Sequence, residues 1–350
     1  MIIFALAAAF AVLALALRLP LRMLGLVYAA LWAAAVLAHL SLADGHPLRT
    51  AIGGDWRGWA FWGLLVAVGM LYGKGLHRVK ARARGATPPV PAAFSDTELD
   101  RYARHIVLRE IGGTGQKKLK AARVLVVGAG GLGAPALLYL AAAGVGTIGV
   151  IDDDEVSNSN LQRQIIHTDA RIGMPKVFSA EIAMKALNPF ISIRTYQRRL
   201  TSADAPALFA DFDLILDGSD NFDTRYLVNA AAVTAGKPLI SAAISQWEGQ
   251  IGVYDPARGG PCYACIFPER PADGLAPSCA EAGVIAPLPG IIGSMMALEA
   301  VKHLTGAGEM LVGQLLIYDG LWGESRKLNV GRNAKCAHCG HLHAVAPPVR

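Results

Sequence analysis

Long apolar runs occupy the first third of the chain, and short apolar segments alternate with polar ones over the rest. Residues 1–17, 24–43 and 58–73 contain no Asp, Glu, Lys or Arg, and Trp and Tyr lie at the two ends of the third run. Such runs are typical of membrane-spanning helices with aromatic residues at the headgroup level. We therefore expect a membrane anchor of about three transmembrane helices over residues 1–85. Two spans, a signal peptide for the first run, or buried helices of a soluble fold are the alternatives.

Basic residues set the expected orientation of this anchor. Five of them follow the third run: Lys74, Arg78, Lys80, Arg82 and Arg84. The positive-inside rule then places the N-terminus outside and everything after the third run in the cytoplasm. Residues 1–94 carry nine Lys and Arg against two Asp, so the rest of the chain carries −1 of the total net charge of +6. This balance argues against a nucleic-acid-binding surface beyond the anchor.

A Pro-rich linker over residues 86–95 precedes the expected domain of residues 96–345. Ser95 and Glu98 form a capping box that opens a helix to about Arg109, and Gly112, Gly113 and Gly115 are expected to end it. Strands then alternate with helices. The strands are expected at 124–127, 147–151, 191–196, 214–217 and 239–243, and the helices at 132–143, 174–187, 203–210 and 222–235. This pattern predicts an α/β domain with a Rossmann-like, doubly wound, mostly parallel sheet and helices on both faces.

A glycine-rich turn follows the first strand of this domain. Gly128, Gly130 and Gly133 match G-x-G-x-x-G, in which the backbone turns tightly and a helix N-terminus points its N–H groups at a phosphate. Asp152 ends the second strand, where a carboxylate binds a ribose hydroxyl. The motif indicates a nucleotide but does not separate ATP from a dinucleotide. A purely structural turn is the alternative.

Charged residues after the next strands favour a triphosphate. Asn160, Arg163 and Lys176 supply donors and positive charge, and Arg163 has the planar fork that suits phosphate. Asp220 follows the fourth strand and is a candidate Mg²⁺ ligand. Taken singly, each of the first three has an alternative interpretation as a surface polar residue. The alternative for Asp220 is the N-cap of the helix that follows, and both of its roles can hold at once.

The cysteines indicate a metal site. Cys262, Cys265, Cys336 and Cys339 form two C-x-x-C pairs that supply four thiolates for structural zinc if the pairs meet in space. Separate redox dithiols are the alternative, and His338 and His341 are possible substitute ligands. Cys279 lies in a segment without clear periodicity, at 272–287, and is either a nucleophile or an incidental thiol.

Taken together, these motifs resemble a known family. Gly128-Ala-Gly-Gly-Leu-Gly133, Asp152, Ser159-Asn-Leu-Gln-Arg163, Lys176, Asp217-Gly-Ser-Asp-Asn221 and the Cys pairs resemble the ubiquitin-activating-like superfamily. Within it they look most like the bacterial adenylyltransferases of MoeB, ThiF and HesA type, which activate sulfur carriers for molybdopterin or thiazole synthesis. The resemblance implies ATP, Mg²⁺, structural Zn²⁺, a homodimer, and a ubiquitin-fold carrier whose C-terminal Gly-Gly carboxylate is adenylylated with release of pyrophosphate.

The resemblance also implies roles for individual residues. The implied catalytic residues are Arg104, which a partner subunit inserts into the site, and Asn160, Arg163, Lys176, Asp220 and Cys279. The implied nucleotide-binding residues are Gly128, Gly130, Gly131, Gly133, Asp152, Ser159, Asn160, Leu161, Gln162, Arg163, Lys176, Asp220 and Asn221.

Two features depart from the usual soluble enzyme of this family. The apolar runs place the protein in the bacterial inner membrane as a multi-pass protein with a cytoplasmic catalytic domain. No rhodanese domain follows His341, so the sulfur donor is expected to be a separate protein. The alternatives are an ATP-dependent dehydratase acting on a modified tRNA base, an NAD-binding oxidoreductase or redox sensor, and a membrane scaffold without activity.

Overall fold

The chain divides into two compact units, residues 1–92 and 93–350. The structure is a computed structural model that describes residues 21–83, 93–272 and 279–344. The expected first span, residues 1–17, and most of the expected linker lie outside the described residues.

Three helices form the described part of the first unit: α1 (Leu21–Ser41), α2 (Pro47–Ile52) and α3 (Trp56–Ala83). The Trp32 indole donates to the carbonyl of Trp59 at 2.8 Å, and the buried ring of His39 contacts the carbonyl of Gly54 at 3.1 Å. These bonds join α1 to the start of α3. Polar side-chain groups of α1 thus lie within hydrogen-bond distance of backbone carbonyls near the start of α3.

One helix in the described part of the chain is long and apolar enough to cross a membrane. It covers Trp56–Leu76 within α3, with a mean hydropathy of 1.3, and none of it is buried. Trp62 and Leu71 are 65% and 70% exposed. The apolar part of α1 is shorter, at Val27–Ser41.

The second unit is built on one eight-stranded mixed sheet. Its order is β3-β2-β1-β4-β5-β6-β7-β8, with parallel pairing from β3 to β5 and antiparallel pairing from β5 to β8. The strands are β1 (Arg123–Val127), β2 (Thr147–Ile151), β3 (Ser192–Tyr196), β4 (Leu214–Asp217), β5 (Leu239–Ile244), β6 (Glu248–Tyr254), β7 (Gln314–Asp319) and β8 (Glu324–Asn329).

Helices cover both faces of this sheet. They are α4 (Asp96–Arg101), α5 (Ala103–Ile106), α6 (Gly112–Ala121), α7 (Gly133–Ala143), α8 (Lys176–Leu187), α9 (Ala205–Ala210), α10 (Phe222–Ala235), α11 (Tyr263–Ile266), α12 (Cys279–Ala282) and α13 (Pro287–Thr305). Alternate side chains of β1 enter two separate cores, because successive strand residues point to opposite faces. Val124 and Val126 pack with α7, α8 and α13, whereas Leu125 packs with α9 and α10. The expected α/β architecture with helices on both faces is confirmed.

Three predicted features differ from the structure. The parallel pattern stops at β5, and β6 to β8 form an antiparallel extension that the sequence reading did not identify. The helix opened by Ser95 breaks at Tyr102 and ends at Ile106, short of Arg109. Gly112, Gly113 and Gly115 do not end it but begin α6, in which Leu119 and Gln116 are buried. Burial against the core outweighs the low helix propensity of these glycines.

Candidate functional site

A cavity of about 1050 Å³ opens at the carboxyl ends of the parallel strands. The chain runs from β1 to β2 and β3 on one side and returns through β4 to β5 on the other, so the strand order reverses next to β1. Open α/β sheets bind ligands at this point. Eight of the residues expected to bind nucleotide line the cavity: Gly128, Gly130, Gly131, Asp152, Arg163, Lys176, Asp220 and Asn221.

The glycine-rich turn is shaped by two close backbone approaches. Gly128 has φ of +95°, which favours glycine, and a Cβ there would lie 3.2 Å from the Gly218 carbonyl oxygen. A Cβ on Gly133 would collide with the carbonyl oxygen of Gly128. Side chains at either position would therefore displace the turn, which brings free N–H groups of the α7 N-terminus to the cavity.

Asp152 is held in place by backbone donors from both sides. Its carboxylate accepts hydrogen bonds from the Ala129 N–H at 2.7 Å and the Asp154 N–H at 2.8 Å. Burial raises the pKa of Asp152, although the charge of Lys176 and these two N–H groups oppose the shift. The carboxylate is thus fixed against the glycine-rich turn, where it can accept from a ligand hydroxyl.

Two of the cationic side chains on the cavity wall are held in place by groups of the chain itself. The buried Nζ of Lys176 lies 2.7 Å from Oδ2 of Asp154, and the Lys176 N–H donates to the Asp154 carbonyl at 2.9 Å. The Arg163 guanidinium donates to the Ser159 carbonyl and to Oδ1 of Asn160, each at 3.2 Å. Both groups are therefore oriented before a ligand enters.

A buried polar network supports the loop after β4. Oδ1 of Asp217 accepts from the N–H of Ser219 at 3.0 Å and from its hydroxyl at 2.6 Å, and Oδ2 accepts from the Ser241 hydroxyl at 2.9 Å. The Arg225 guanidinium donates to the carbonyls of Ala242, at 2.7 Å, and Ser219, and lies 4.0 Å from the Asp217 carboxylate. Arg225 and Ser219 also line the cavity, so the network forms part of its wall.

Asp220 and Asn221 have distinct positions at the start of α10. Asn221 is the N-cap, with Oδ1 accepting from the Thr224 N–H at 2.9 Å. The alternative reading of Asp220 as the cap is therefore wrong, because the neighbouring amide occupies that role. Asp220 is exposed on the cavity wall, where its carboxylate is available to a cation.

Several expected site residues lie outside the cavity wall, as far as the described chain defines it. Gly133 supports the turn from behind, and Asn160 reaches the cavity through Arg163, while Ser159, Leu161 and Gln162 do not line it. Arg104 is exposed on α5 and does not line this chain's own cavity. Cys279 begins α12, but its side chain lies outside the described residues.

The structure adds wall residues that the sequence reading missed: Gln164, Arg198, Arg199, Arg225, Arg270, Tyr263 and Arg326. Gln164 is 4% exposed, and its buried Oε1 has no hydrogen-bond partner among the described residues. A signal for Arg225 exists in the sequence. Arg225 and Asn229 are spaced by four in a helix of mostly apolar residues, which predicts one shared buried polar face.

The four paired cysteines meet in the fold. Cys262 Sγ lies 3.5 Å from Cys336 Sγ, and Cys265 Sγ lies 3.4 Å from Cys339 Sγ. All four sulfur atoms lie within 4.8 Å of one another. Four thiol groups at these distances fit the tetrahedral Cys₄ arrangement of structural zinc. The described cluster consists of the four predicted cysteines, without His338 or His341 as the substitute ligands considered above.

Burial makes two of these thiols, Cys262 and Cys339, poor acids in the absence of a cation. It raises the pKa of Cys262 far above its ordinary value and that of Cys339 to about 11. Burial also acts to raise the pKa of Cys336, but the N–H groups of Cys339 and His338 lower it. A bound Zn²⁺ supplies the charge that deprotonates such thiols.

A buried histidine lies behind the glycine-rich turn. His167 Nε2 contacts the Ala129 carbonyl oxygen at 2.9 Å and Nδ1 contacts the Ser179 hydroxyl at 2.9 Å. Because a carbonyl only accepts, Nε2 carries the proton and Nδ1 accepts. Burial lowers the pKa of His167, and the charges of Lys176 and Arg171 add to the shift. The neutral ring thus helps to fix the turn.

Comparisons with known proteins agree with this site. The ThiF family matches residues 102–338. The sulfur carrier protein adenylyltransferase of Thermus thermophilus is 51% identical over 251 residues, covering 71% of this chain and 93% of the relative. The probable adenylyltransferase/sulfurtransferase MoeZ of Mycobacterium tuberculosis is 51% identical over 252 residues, covering 70% of this chain and 64% of the relative. The SAMP-activating enzyme E1 of Haloferax volcanii is 46% identical and covered to 90%.

Solved structures show the same fold. The crystal structure of Escherichia coli MccB with ATP has a TM-score of 0.60 and 24% identity, covering 69% of this chain and 74% of that one. The structure of PaaA has a TM-score of 0.60 and 22% identity, covering 86% and 90%. With a relative half identical and covered almost throughout, and with the glycine turn, Asp152 and Lys176 on one cavity, the chain belongs to the ThiF family.

Proposed function

We propose that this protein adenylylates the C-terminal glycine carboxylate of a small ubiquitin-fold sulfur-carrier protein, with ATP as the second substrate. One observation carries the proposal. The glycine-rich turn, a half-buried carboxylate, several cationic side chains and an exposed carboxylate converge on one cavity large enough for a nucleotide and the end of a polypeptide. The name of the Thermus thermophilus relative supports the same chemistry.

The glycine-rich turn and Asp152 hold the nucleoside end of ATP in this proposal. Asp152 accepts from a ribose hydroxyl, since its carboxylate is already fixed by two N–H groups. The N-terminus of α7 faces the phosphates with free N–H groups.

Charge neutralisation and positioning account for the catalysis. Arg163, oriented by Asn160, and Lys176, oriented by Asp154, bind the phosphate oxygens. Asp220 would hold Mg²⁺, which neutralises phosphate charge when bound, and its exposed carboxylate fits this role. The carrier's carboxylate oxygen attacks the α-phosphorus, an O–P bond forms, and the bond from the α-phosphorus to the bridging oxygen breaks. Pyrophosphate leaves and an acyl-adenylate remains.

A homodimer completes the site in this proposal. Arg104 is exposed and does not line its own cavity among the described residues, which suits a side chain that serves the partner subunit. Cys279 stays a candidate for a later covalent step, and adenylylation itself does not need a thiol. A separate protein supplies the sulfur, and Zn²⁺ on the four cysteines has a structural role.

We also propose that the first unit anchors the enzyme in the inner membrane as a multi-pass segment with its catalytic unit in the cytoplasm. The exposed apolar surface of α3 supports this, because Trp62, Leu65 and Leu71 are exposed in the described part of their unit. The basic residues at the end of α3 set the orientation. Protease accessibility of the second unit in inverted membrane vesicles tests the topology.

ATP–pyrophosphate exchange tests the proposed reaction. The full chain in detergent receives Mg²⁺, ATP, labelled pyrophosphate and, in separate reactions, candidate carriers ending in Gly-Gly or total tRNA. Asp220→Ala is the test variant. Asp211→Ala is the matched control, because Asp211 is an exposed acid just before β4, at the opposite end of the strand from the cavity.

The expected result is exchange that requires one carrier, is lost in Asp220→Ala and persists in Asp211→Ala. The same reaction identifies the pathway by the carrier it accepts. ATP turnover that depends on tRNA, with no exchange for any carrier, would refute the proposal in favour of the dehydratase.

A further inference from the structure

One buried helix face runs from the nucleotide cavity to the cysteine cluster. Asn221 caps α10, and Arg225, Asn229 and Val233 follow at intervals of four residues. This spacing places the three helical side chains on one face. Arg225 lines the cavity, and Val233 packs in the apolar cluster that contains Cys262, so the two sites lie at the two ends of this face.

Asn229 contacts the metal-ligand segment with both ends of its amide. Its Nδ2 lies 3.8 Å from Sγ of Cys262, and its Oδ1 accepts from the N–H of Tyr263 at 2.9 Å. Asn229 is 1% exposed and Cys262 is 0% exposed. Both contacts are therefore shielded from water, where hydrogen bonds have most effect on geometry.

Tyr263 links the same segment to the nucleotide cavity. It follows Cys262 directly and lines the cavity. Its ring packs against Phe267, Tyr226 and Tyr254, with centroid distances of 4.9, 5.5 and 5.8 Å. A change in the backbone dihedral angles of Cys262 would move this ring. The cavity wall would move with it, because the closely packed neighbours leave the ring no free volume.

We infer that Asn229 is a positioning residue that couples the Cys₄ centre to the nucleotide cavity, so that bound ATP slows the loss of zinc. The inference rests on the proposed function only in taking ATP as the ligand of the cavity. Groups in the outer shell of a metal site orient its ligands, and Asn229 does so while also fixing the Tyr263 backbone. A ligand that packs against Tyr263 in the cavity wall therefore also restrains Cys262 in its metal-binding position.

Zinc release measures this coupling directly. The full, zinc-loaded chain in detergent is mixed with excess 4-(2-pyridylazo)resorcinol, and the absorbance of the zinc complex follows the release rate. The reaction is run with and without Mg²⁺ and an ATP analogue that has a methylene bridge between the α- and β-phosphates. We expect the analogue to slow release from the wild type at least about threefold, a change of roughly 0.65 kcal/mol in the barrier.

Variants separate Asn229 from general effects of the nucleotide. Asn229→Ala removes both contacts, and Asn229→Asp keeps the acceptor for Tyr263 but loses the donor to Cys262. We expect both variants to release zinc at a rate that the analogue no longer changes. Thr234→Ala, an exposed site on the same helix, should behave as the wild type. Chelation of zinc by the analogue itself would affect all four proteins equally.

The outcomes are distinct. Equilibrium dialysis with the analogue is run on the same samples, and absence of binding to the wild type would refute the proposed function together with this coupling. Binding without any change in the zinc release rate would refute the coupling alone. A slowed release that persists in both Asn229 variants would refute the role of Asn229. If Asn229→Ala does not fold, the wild-type and Asn229→Asp measurements decide the matter.

Discussion

Arg225→Met tests whether the polar network under the loop after β4 holds the cavity together. Methionine keeps the length and apolar character of the side chain but removes the guanidinium. The change leaves two carbonyl oxygens, of Ser219 and Ala242, without their donor. It also leaves the carboxylate of Asp217, which is 0% exposed, without a counter-charge.

The magnitude follows from burial and partner count. Removing one member of a buried ion pair costs about 3–5 kcal/mol of folding free energy, because the other charge stays buried and unpaired. The hydroxyls of Ser219 and Ser241 still donate to Asp217, which favours the lower half of that range. For a unit of this size each kcal/mol lowers Tm by roughly 2–4 °C, so we expect a loss of about 6–16 °C.

Calorimetry of the full chain in detergent measures the effect, and a double-mutant cycle assigns it. Asp217→Asn alone leaves Arg225 without its anion, whereas Asp217→Asn with Arg225→Met removes both charges. We expect the double variant to lose at least about 1.5 kcal/mol less than the sum of the single losses. Additive losses, or a fall in Tm of less than about 3 °C for Arg225→Met, would refute the claim that these charges depend on each other.

Three further predictions concern other parts of the second unit. Asp154→Asn should raise the KM for ATP about three- to fivefold relative to Asp153→Asn, because a partly exposed ion pair to Lys176 contributes roughly 0.5–1 kcal/mol; equal KM values would contradict this. The lowered pKa of His167 keeps its folded ring neutral while the unfolded ring binds a proton below its ordinary pKa of 6.5. Stability is therefore lost as pH falls from 6.5 towards the folded pKa, and the Tm advantage of the wild type over His167→Gln should shrink between pH 7.5 and 5. Cys265→Ser should lower bound zinc below one ion per chain, as measured by atomic emission, and a full complement would argue against a Cys₄ ligand set.

The parallel half of the sheet follows from the sequence because its signals are local. Residues 147–151 are a short apolar run followed directly by Asp152, and residues 214–217 are one that ends in Asp217; the structure has strands with the same bounds. The convergence of Gly128, Asp152 and Asp220 follows as well, since carboxyl ends of parallel strands share one edge. The Sγ–Sγ distances confirm that the two Cys pairs meet. The spacing of the pairs along the chain does not contain this information.

The last strand of the antiparallel half was not recognised, for a physical reason. Every residue of β8, Glu324–Asn329, is exposed, so the strand lacks the apolar alternation by which a sequence reveals one. Its place comes from pairing with β7, which is a long-range property. Tyr263 and Gln164 were also missed because of long-range structure: their places in the cavity wall depend on packing between elements that are distant in the chain.

The collisions that a side chain would meet at Gly133 and at Gly293 also bear on the thermodynamics of ligand entry. A Cβ on Gly133 would strike the Gly128 carbonyl, and one on Gly293 of α13 would strike the carbonyl of Leu132. The turn is thus held between its own strand and a neighbouring helix before a ligand enters. A nucleotide that binds there contacts backbone N–H groups that are already in position. This segment therefore loses little conformational entropy on binding. Most of the conformational entropy lost on forming the complex is then lost by the C-terminal segment of the carrier protein.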